Sequence, residues 1–260
     1  MEAARFAQIE VTTICNFDCF YCAGRDMAQR HMEMPVFARV LAQLPAHTGM
    51  TVSLQGEGEP TLHPAFWDMA HAVRAQGLRS YTITNGTRVD AARFAEGLDT
   101  VGVSVDTLDE DEARRIGRYN LPKVLANLES LVRAMGPGRV AVHTVTYGQD
   151  IAPLQAYLRS IGQPRQILQP LQVKDDYVRH YALQQGGQPV RLVPPAARTL
   201  AQYRCGFLDK PRMRYFNIDG TEMPCCYIKD ASAYTSADAL RQTLARREIP
   251  VACAGCRELR

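Results

Sequence analysis

Cys15-Asn16-Phe17-Asp18-Cys19-Phe20-Tyr21-Cys22 crowds three thiols into one loop, directly after the strand-like run Ala7–Thr13, where Ile9 and Val11 alternate with polar neighbours. Three cysteines at C-x3-C-x2-C spacing can ligate three corners of a cubane iron-sulfur cluster. A closed structural site would ask for a fourth thiolate or histidine nearby, and the loop offers none. Three ligands leave one iron open to a small molecule, so the spacing predicts chemistry. A zinc loop is the plainer alternative for the same spacing.

Outward from this loop, short apolar runs alternate with segments of helical periodicity. The strands are expected at Ala7–Thr13, Met50–Leu54, Ser80–Thr84, Thr100–Val105, Arg139–Thr146 and Arg165–Leu171. The helices are expected from Met34-Pro35 to Leu44 and over Pro64–Gln76, Val89–Glu96, Pro122–Met135 and Ile151–Ile161. Six right-handed βα units give a parallel sheet with helices on its outer face, a partial (β/α)6 TIM-like barrel rather than a closed barrel of eight. In such barrels the reacting groups stand on the loops after strand C-termini.

Read in that light, the cysteine loop, with an aromatic Tyr21 before its third thiol, resembles that of the radical SAM superfamily. The resemblance implies a 4Fe-4S cluster on Cys15, Cys19 and Cys22 whose open iron chelates S-adenosylmethionine, with Tyr21 beside the adenine. Gln55-Gly56-Glu57-Gly58-Glu59-Pro60 is similar to the family's G-G-E-P loop, which holds the cofactor's amino group. Gly58, Glu59 and Pro60 carry that match, while Glu57 stands where the family has its first glycine. Thr84-Asn85-Gly86-Thr87 resembles the loop bordering the cofactor, through Asn85. Val103-Ser104-Val105-Asp106 resembles the S-x-D in which the serine, here Ser104, approaches the ribose or carboxylate. Arg115 resembles an arginine that pairs with the cofactor carboxylate, with Arg114 and Arg118 close enough to leave that choice open.

His143 lies on the strand face opposite Val142 and Thr144, as a proton acceptor, a substrate contact or a hydrogen-bonded structural histidine. Gln169 and Lys174-Asp175-Asp176-Tyr177 follow at the end of the sixth strand, where substrate is expected.

The barrel core is expected over residues 1–171 and a linker over 172–200, broken by Gly186-Gly187, Pro189 and Pro194-Pro195. Residues 201–260 then form a small cysteine-rich extension: Cys205, a hairpin from Arg214–Ile218 through Asp219-Gly220 to Thr221–Met223, Cys225-Cys226, a helix over Ala237–Arg246, and Cys253-Ala254-Gly255-Cys256. Cys205, Cys225, Cys253 and Cys256 are four ligands, enough to close a second cluster or a four-thiolate zinc site. The segment resembles the SPASM/twitch extension, which implies an auxiliary 4Fe-4S cluster. Cys226 is either a buried thiol or the ligand in place of Cys225.

Composition excludes several classes. Eight cysteines fall into two groups, with none between Cys22 and Cys205, a pattern of metal ligation in a reducing cytoplasm rather than of disulfides. No apolar run reaches transmembrane length, and a cysteine loop starting at residue 15 leaves no room for a signal peptide. The net charge is only +3 and the arginines are scattered, without a nucleic-acid stripe.

The resemblance as a whole implies an oxidoreductase supplied with electrons by a flavodoxin or ferredoxin. It would cleave S-adenosylmethionine to a 5′-deoxyadenosyl radical, abstract a hydrogen atom from a C–H bond, and pass the substrate's electron to the auxiliary cluster. A small hydroxylated or amino natural product is the expected substrate, since the first strand begins too early for a leader-binding domain. Crosslinking or epimerisation of a ribosomal peptide is the alternative, with Cys226 as a hydrogen-atom donor in the second case. A non-catalytic iron-sulfur or zinc electron carrier is the alternative of another class.

Overall fold

The computed structural model describes residues 5–22, 27–162, 164–175, 177–178, 202–209 and 213–260. Six parallel strands follow the expected βα alternation: β1 (Phe6–Ile9), β2 (Thr51–Leu54), β3 (Arg79–Thr84), β4 (Thr100–Ser104), β5 (Val140–Thr146) and β6 (Arg165–Pro170). Between them run α1 (Met34–Leu41), α2 (Phe66–Ala75), α3 (Ala91–Gly97), α4 (Glu110–Arg115), α5 (Leu121–Met135) and α6 (Ala152–Ser160). The expected linker lies almost wholly outside the described residues.

Beyond it come α7 (Gly206–Asp209), the hairpin β7 (Met213–Phe216) and β8 (Glu222–Met223), and α8 (Ala237–Ala245). The sheet order is β6-β5-β4-β3-β2-β1-β7-β8. The hairpin therefore extends the barrel sheet: β7 runs parallel to β1, with Gln8 opposite Tyr215, and β8 returns antiparallel.

The helices form where the pattern demands. In α5, Pro122 occupies the first turn, and Val124, Leu128, Leu131, Val132 and Met135 recur every three or four residues along one buried stripe. That stripe joins Val101, Val103, Val140 and Val142 in one core with Ala7, Ile9, Val52 and Leu54. Burying each such aliphatic side chain contributes roughly 1.5–3 kcal/mol. Strand alternation sends Gln8, Ser53, Tyr81, Ser104 and His143 to the opposite face, the inside of the barrel.

Two expectations are corrected. Strand β1 ends at Ile9 instead of Thr13: the Glu10 N–H still donates to Phe216 O of β7, but beyond it the chain pairs with the segment before α1, Val11 O accepting the Met32 N–H and the Thr13 N–H donating to Arg30 O. The sequence also hides α4, which buries only Ala113 and so shows no apolar period. It is held instead by Asp109, whose side chain accepts the Glu112 N–H at 2.8 Å, and by acidic residues in its first turn and arginines in its last. Among the described residues no helix is long and apolar enough to cross a membrane.

Candidate active site

The cysteine loop is seated on backbone. The Asp18 N–H donates to Gly117 O and the Phe20 N–H to Ile116 O, joining the loop to the end of α4. Gly117 has φ +83°, and a Cβ there would lie 2.2 Å from Asp18 O, so a side chain at 117 displaces the loop. From the other side, the Gly58 N–H donates to Thr12 O and the Glu59 N–H to Ile14 O. A Cβ on Gly58 would lie 2.5 Å from Thr12 O and 2.6 Å from Ile14 O.

Glu59, nearly fully buried, spends its carboxylate inside the protein. Oε1 accepts Thr61 N–H at 3.1 Å and the Thr61 and Thr84 hydroxyls at 2.7 Å, while Oε2 accepts Asn85 N–H at 2.6 Å. Burial raises its pKa and these donors oppose the rise. Glu59 thus ties the loop after β2 to the loop after β3, and Pro60 continues it into a tight 3-10 turn. Asn85, fixed in this way, donates to Asn16 Oδ1 at 2.8 Å and directs Nδ2 toward Cys15 Sγ at 4.0 Å.

All three thiols of the loop are partly or fully buried. Cys15 is pushed up to about 11 by burial, opposed by the Phe17 N–H that reaches its sulfur at 3.4 Å, and burial raises Cys19 as well. Thiolates at this depth need positive charge and N–H donors beside them. Iron would supply the first, and Phe17 N–H and Asn85 stand ready for the second, so the donor set fits a cluster held by Cys15, Cys19 and Cys22. Among the described residues no three His, Cys, Asp or Glu side chains converge to hold a single ion. A cubane asks something else, since each thiolate binds its own iron.

Above the loop the sequence reading passed over a pair. Arg118 Nε lies 2.9 Å from Asp106 Oδ2 and 2.7 Å from the Tyr21 hydroxyl, and its Nη1 donates to Ser104 O at 2.7 Å. Tyr21 in turn donates to Asp106. Burial works against the Arg118 charge, but Asp106 and Tyr21 outweigh it and raise the pKa. Arg115 is exposed at the end of α4, and of the neighbouring arginines Arg118 is the one that reaches Ser104, Asp106 and Tyr21. The aspartate of S-x-D was the signal that pointed to this pair. Phe20, Ile116, Leu171 and Tyr177 form an apolar roof against Tyr21.

Inside the barrel the row Gln8–Ser53–Tyr81 is in direct register across β1, β2 and β3. The Tyr81 hydroxyl pairs with His143 Nε2 at 2.7 Å. Burial lowers His143 to about 4, partly countered by Gln169 and reinforced by Arg165, so the imidazole is neutral at pH 7. Ser53 Oγ is buried with no hydrogen-bond partner.

In the extension, Cys205, Cys225, Cys226, Cys253 and Cys256 share one apolar cluster with Leu208, Tyr215, Ile228 and Leu240. Cys256 is pushed up to about 12 by burial, with Cys225, Cys205 and Cys253 all close enough to add to the rise. Cys226 is likewise pushed up to about 12 by burial, but it faces Lys229 and Glu57 as well as Cys225. The Cys253–Cys256 turn rests on the exit of β6: Asp175 N–H donates to Ala254 O at 3.0 Å and Arg257 Nε to Leu171 O at 2.8 Å. Lys174 is buried over the Tyr177 ring, and Asp176 lies outside the described residues.

The family model of the Radical SAM superfamily matches residues 9–161. The chain belongs to the radical SAM superfamily. Membership implies a 4Fe-4S cluster and S-adenosylmethionine. Among curated relatives, a GTP 3′,8-cyclase of Edwardsiella ictaluri is 35% identical over 60% of this chain and 51% of its own length. An S-adenosylmethionine-dependent nucleotide dehydratase of a Thermoplasmatales archaeon is 30% identical over 44% and 42%. The chain thus spans about half the length of the curated relatives it matches. Among solved structures, Streptococcus suis SuiB bound to S-adenosylmethionine superposes with TM-score 0.69 at 15% identity, over 96% of this chain and 67% of SuiB. BtrN in complex with AdoMet and 2-DOIA superposes with TM-score 0.51 at 13% identity, over 94% and 81%. At these identities the likeness shows the fold, a partial radical SAM barrel.

Proposed function

We propose that this radical SAM enzyme oxidises a small polar substrate, with an auxiliary 4Fe-4S cluster as electron acceptor. When bound, S-adenosylmethionine and the cluster on Cys15, Cys19 and Cys22 supply a 5′-deoxyadenosyl radical that takes a hydrogen atom from a C–H bond. The chain's own part is orientation and exclusion of water. Gly58 admits the cofactor loop against the cysteine loop, Tyr21, Asp106 and Arg118 wall it, Ser104 stands beside them, and the Phe20–Tyr177 roof keeps the space dry.

The observation that carries the oxidative reading is the gathering of Cys205, Cys225, Cys253 and Cys256 in one apolar cluster seated on the exit of β6. Four thiolates fill all four corners of a cubane, which suits it to accept an electron rather than to ligate substrate. Loss of an electron to such an acceptor, and of a proton, would leave a carbon radical next to oxygen or nitrogen oxidised by two electrons overall; a flavodoxin- or ferredoxin-type reductant would supply only the single electron that cleaves S-adenosylmethionine, and the auxiliary cluster would take one up in turn. Neutral polar groups at Gln8, Ser53, Tyr81 and His143 favour a small hydroxylated or amino substrate.

The curated relatives' names support a second reading, a nucleotide substrate, and SuiB, solved with its precursor peptide, a third. Anaerobic reconstitution with iron counting and a 5′-deoxyadenosine assay tests the proposal. About eight irons are expected in wild type and about four in Cys15→Ala/Cys19→Ala/Cys22→Ala, with 5′-deoxyadenosine from wild type alone. Zinc in the extension removes the oxidative reading, and a loaded protein making no 5′-deoxyadenosine is an electron carrier. Turnover with GTP or a peptide, and none with aminated or hydroxylated cyclic substrates, replaces the substrate class.

A further inference from the structure

The first position of the cofactor loop carries a side chain where the family has glycine, and that side chain is committed to the extension. The Glu57 carboxylate forms an ion pair with Lys229 Nζ, and both side chains are only 15% exposed. Its Oε2 also lies 3.4 Å from Cys22 Sγ. The Glu57 N–H donates to Glu10 Oε1 at 3.0 Å, and the other oxygen of Glu10, a fully buried residue, accepts the Tyr215 hydroxyl at 3.3 Å. A Cβ at Gly56 would lie 2.3 Å from Glu10 Cγ, so glycine there leaves Glu10 its place. Lys229 completes the group 5.2 Å above the Tyr215 ring.

One ammonium therefore serves two carboxylates: Glu57 on the cofactor loop, with which it pairs directly, and buried Glu10 just past β1, whose charged form it favours from beside Glu57. Neither carboxylate is stable in its charged form at that depth without it. We propose that Lys229, carried by the C-terminal extension, is a positioning residue for the cofactor loop at 55–60, acting through Glu57 and Glu10. The extension thereby sets the shape and the charge of the S-adenosylmethionine site as well as holding its own thiols. The inference rests on the reading of Cys15, Cys19 and Cys22 as ligands of the reducing cluster for its catalytic consequence, but not for the coupling of the two segments.

The test uses Lys229→Met, which keeps the length and removes the charge, Lys229→Arg, which keeps the charge, and Glu57→Gln/Lys229→Met, which removes the ion pair and leaves Glu10 as the one acidic group at the site. Hydrogen exchange is measured on the metal-free full chain. KM for S-adenosylmethionine, kcat for 5′-deoxyadenosine and the midpoint potential of the N-terminal cluster are measured on reconstituted protein.

Lys229→Met is expected to speed exchange across 55–60 and raise KM about tenfold, the size of a coupling of about 1.4 kcal/mol, with kcat and iron content near wild type. The potential is expected to change little, because carboxylates left without their cation at that depth take up protons. Lys229→Arg behaves as wild type, and the double variant recovers most of the loss. Unchanged exchange at 55–60 in Lys229→Met, or a double variant no better than the single, overturns the coupling. If Lys229→Met does not fold, Glu57→Gln alone decides, with faster exchange at 55–60 expected and unchanged exchange overturning the proposal. A wild type that makes no 5′-deoxyadenosine removes the proposed function and leaves the exchange result to stand or fall separately.

Discussion

Asp106 and Arg118 meet at 2.9 Å in a place where the Asp106 side chain has no exposed surface and that of Arg118 is 13% exposed. The aspartate also accepts the Val145 N–H at 2.7 Å and the Tyr21 hydroxyl. Removing the cation leaves a buried charge with only neutral donors. Arg118→Met is expected to lose about 3–5 kcal/mol of unfolding free energy in urea titration, and to weaken S-adenosylmethionine binding measured by dialysis. The paired Arg118→Met/Asp106→Asn variant recovers stability and not binding.

Gly58→Ala separates packing from ligation. Its Cβ would meet backbone oxygens of residues 12 and 14 at 2.5–2.6 Å, which cannot move as a side chain can. Overpacking of this kind costs about 1–3 kcal/mol, and 5′-deoxyadenosine formation is expected to fall at least about tenfold at unchanged iron content. Gly117→Ala, pressing on the cysteine loop itself, is expected to lower iron content too.

His143 gives a pH signature. Its folded pKa of about 4 lies below the ordinary 6.5 because burial disfavours the charged ring. Between pH 6.5 and 4 the unfolded chain binds a proton that the barrel refuses, so stability is full above pH 6.5 and declines as pH falls, by up to about 3 kcal/mol. Denaturant midpoints of His143→Gln across that range are expected to lose this part of the slope. An unchanged slope would assign it to other groups.

The adjacent thiols are told apart by counting iron. Cys225→Ala is expected to lose about four irons, whereas Cys226→Ala, facing Lys229 and Glu57, keeps them all.

Most of the barrel was legible because its signals are local. Apolar periodicity marked five helices and six strands, and the positions of loops after strands followed from topology. The cysteine loop is read from spacing alone. What stayed hidden depends on partners distant in sequence. Arg115 and Arg118 look alike on paper, and only the turn at Ile116 and Gly117 decides which one reaches Asp106. The likeness of Glu59 to the G-G-E-P loop does not foretell the four donors from Thr61, Thr84 and Asn85 that hold its carboxylate. The hairpin was expected by its Asp219-Gly220 turn, but nothing local says that β7 would choose the flank of β1.

That choice has a consequence for how the molecule comes into being. β1 lies inside the finished sheet, but its second neighbour is translated long after it: Tyr215 reaches Glu10 across 205 positions of chain. Until then β1 offers one bare row of backbone N–H and C=O groups, the kind of edge that recruits other chains, and such distant closure is slow. The nascent barrel thus has a vulnerable interval that only the extension ends. Chains shortened before residue 213 are expected to aggregate on expression even though every residue of the cysteine loop is present.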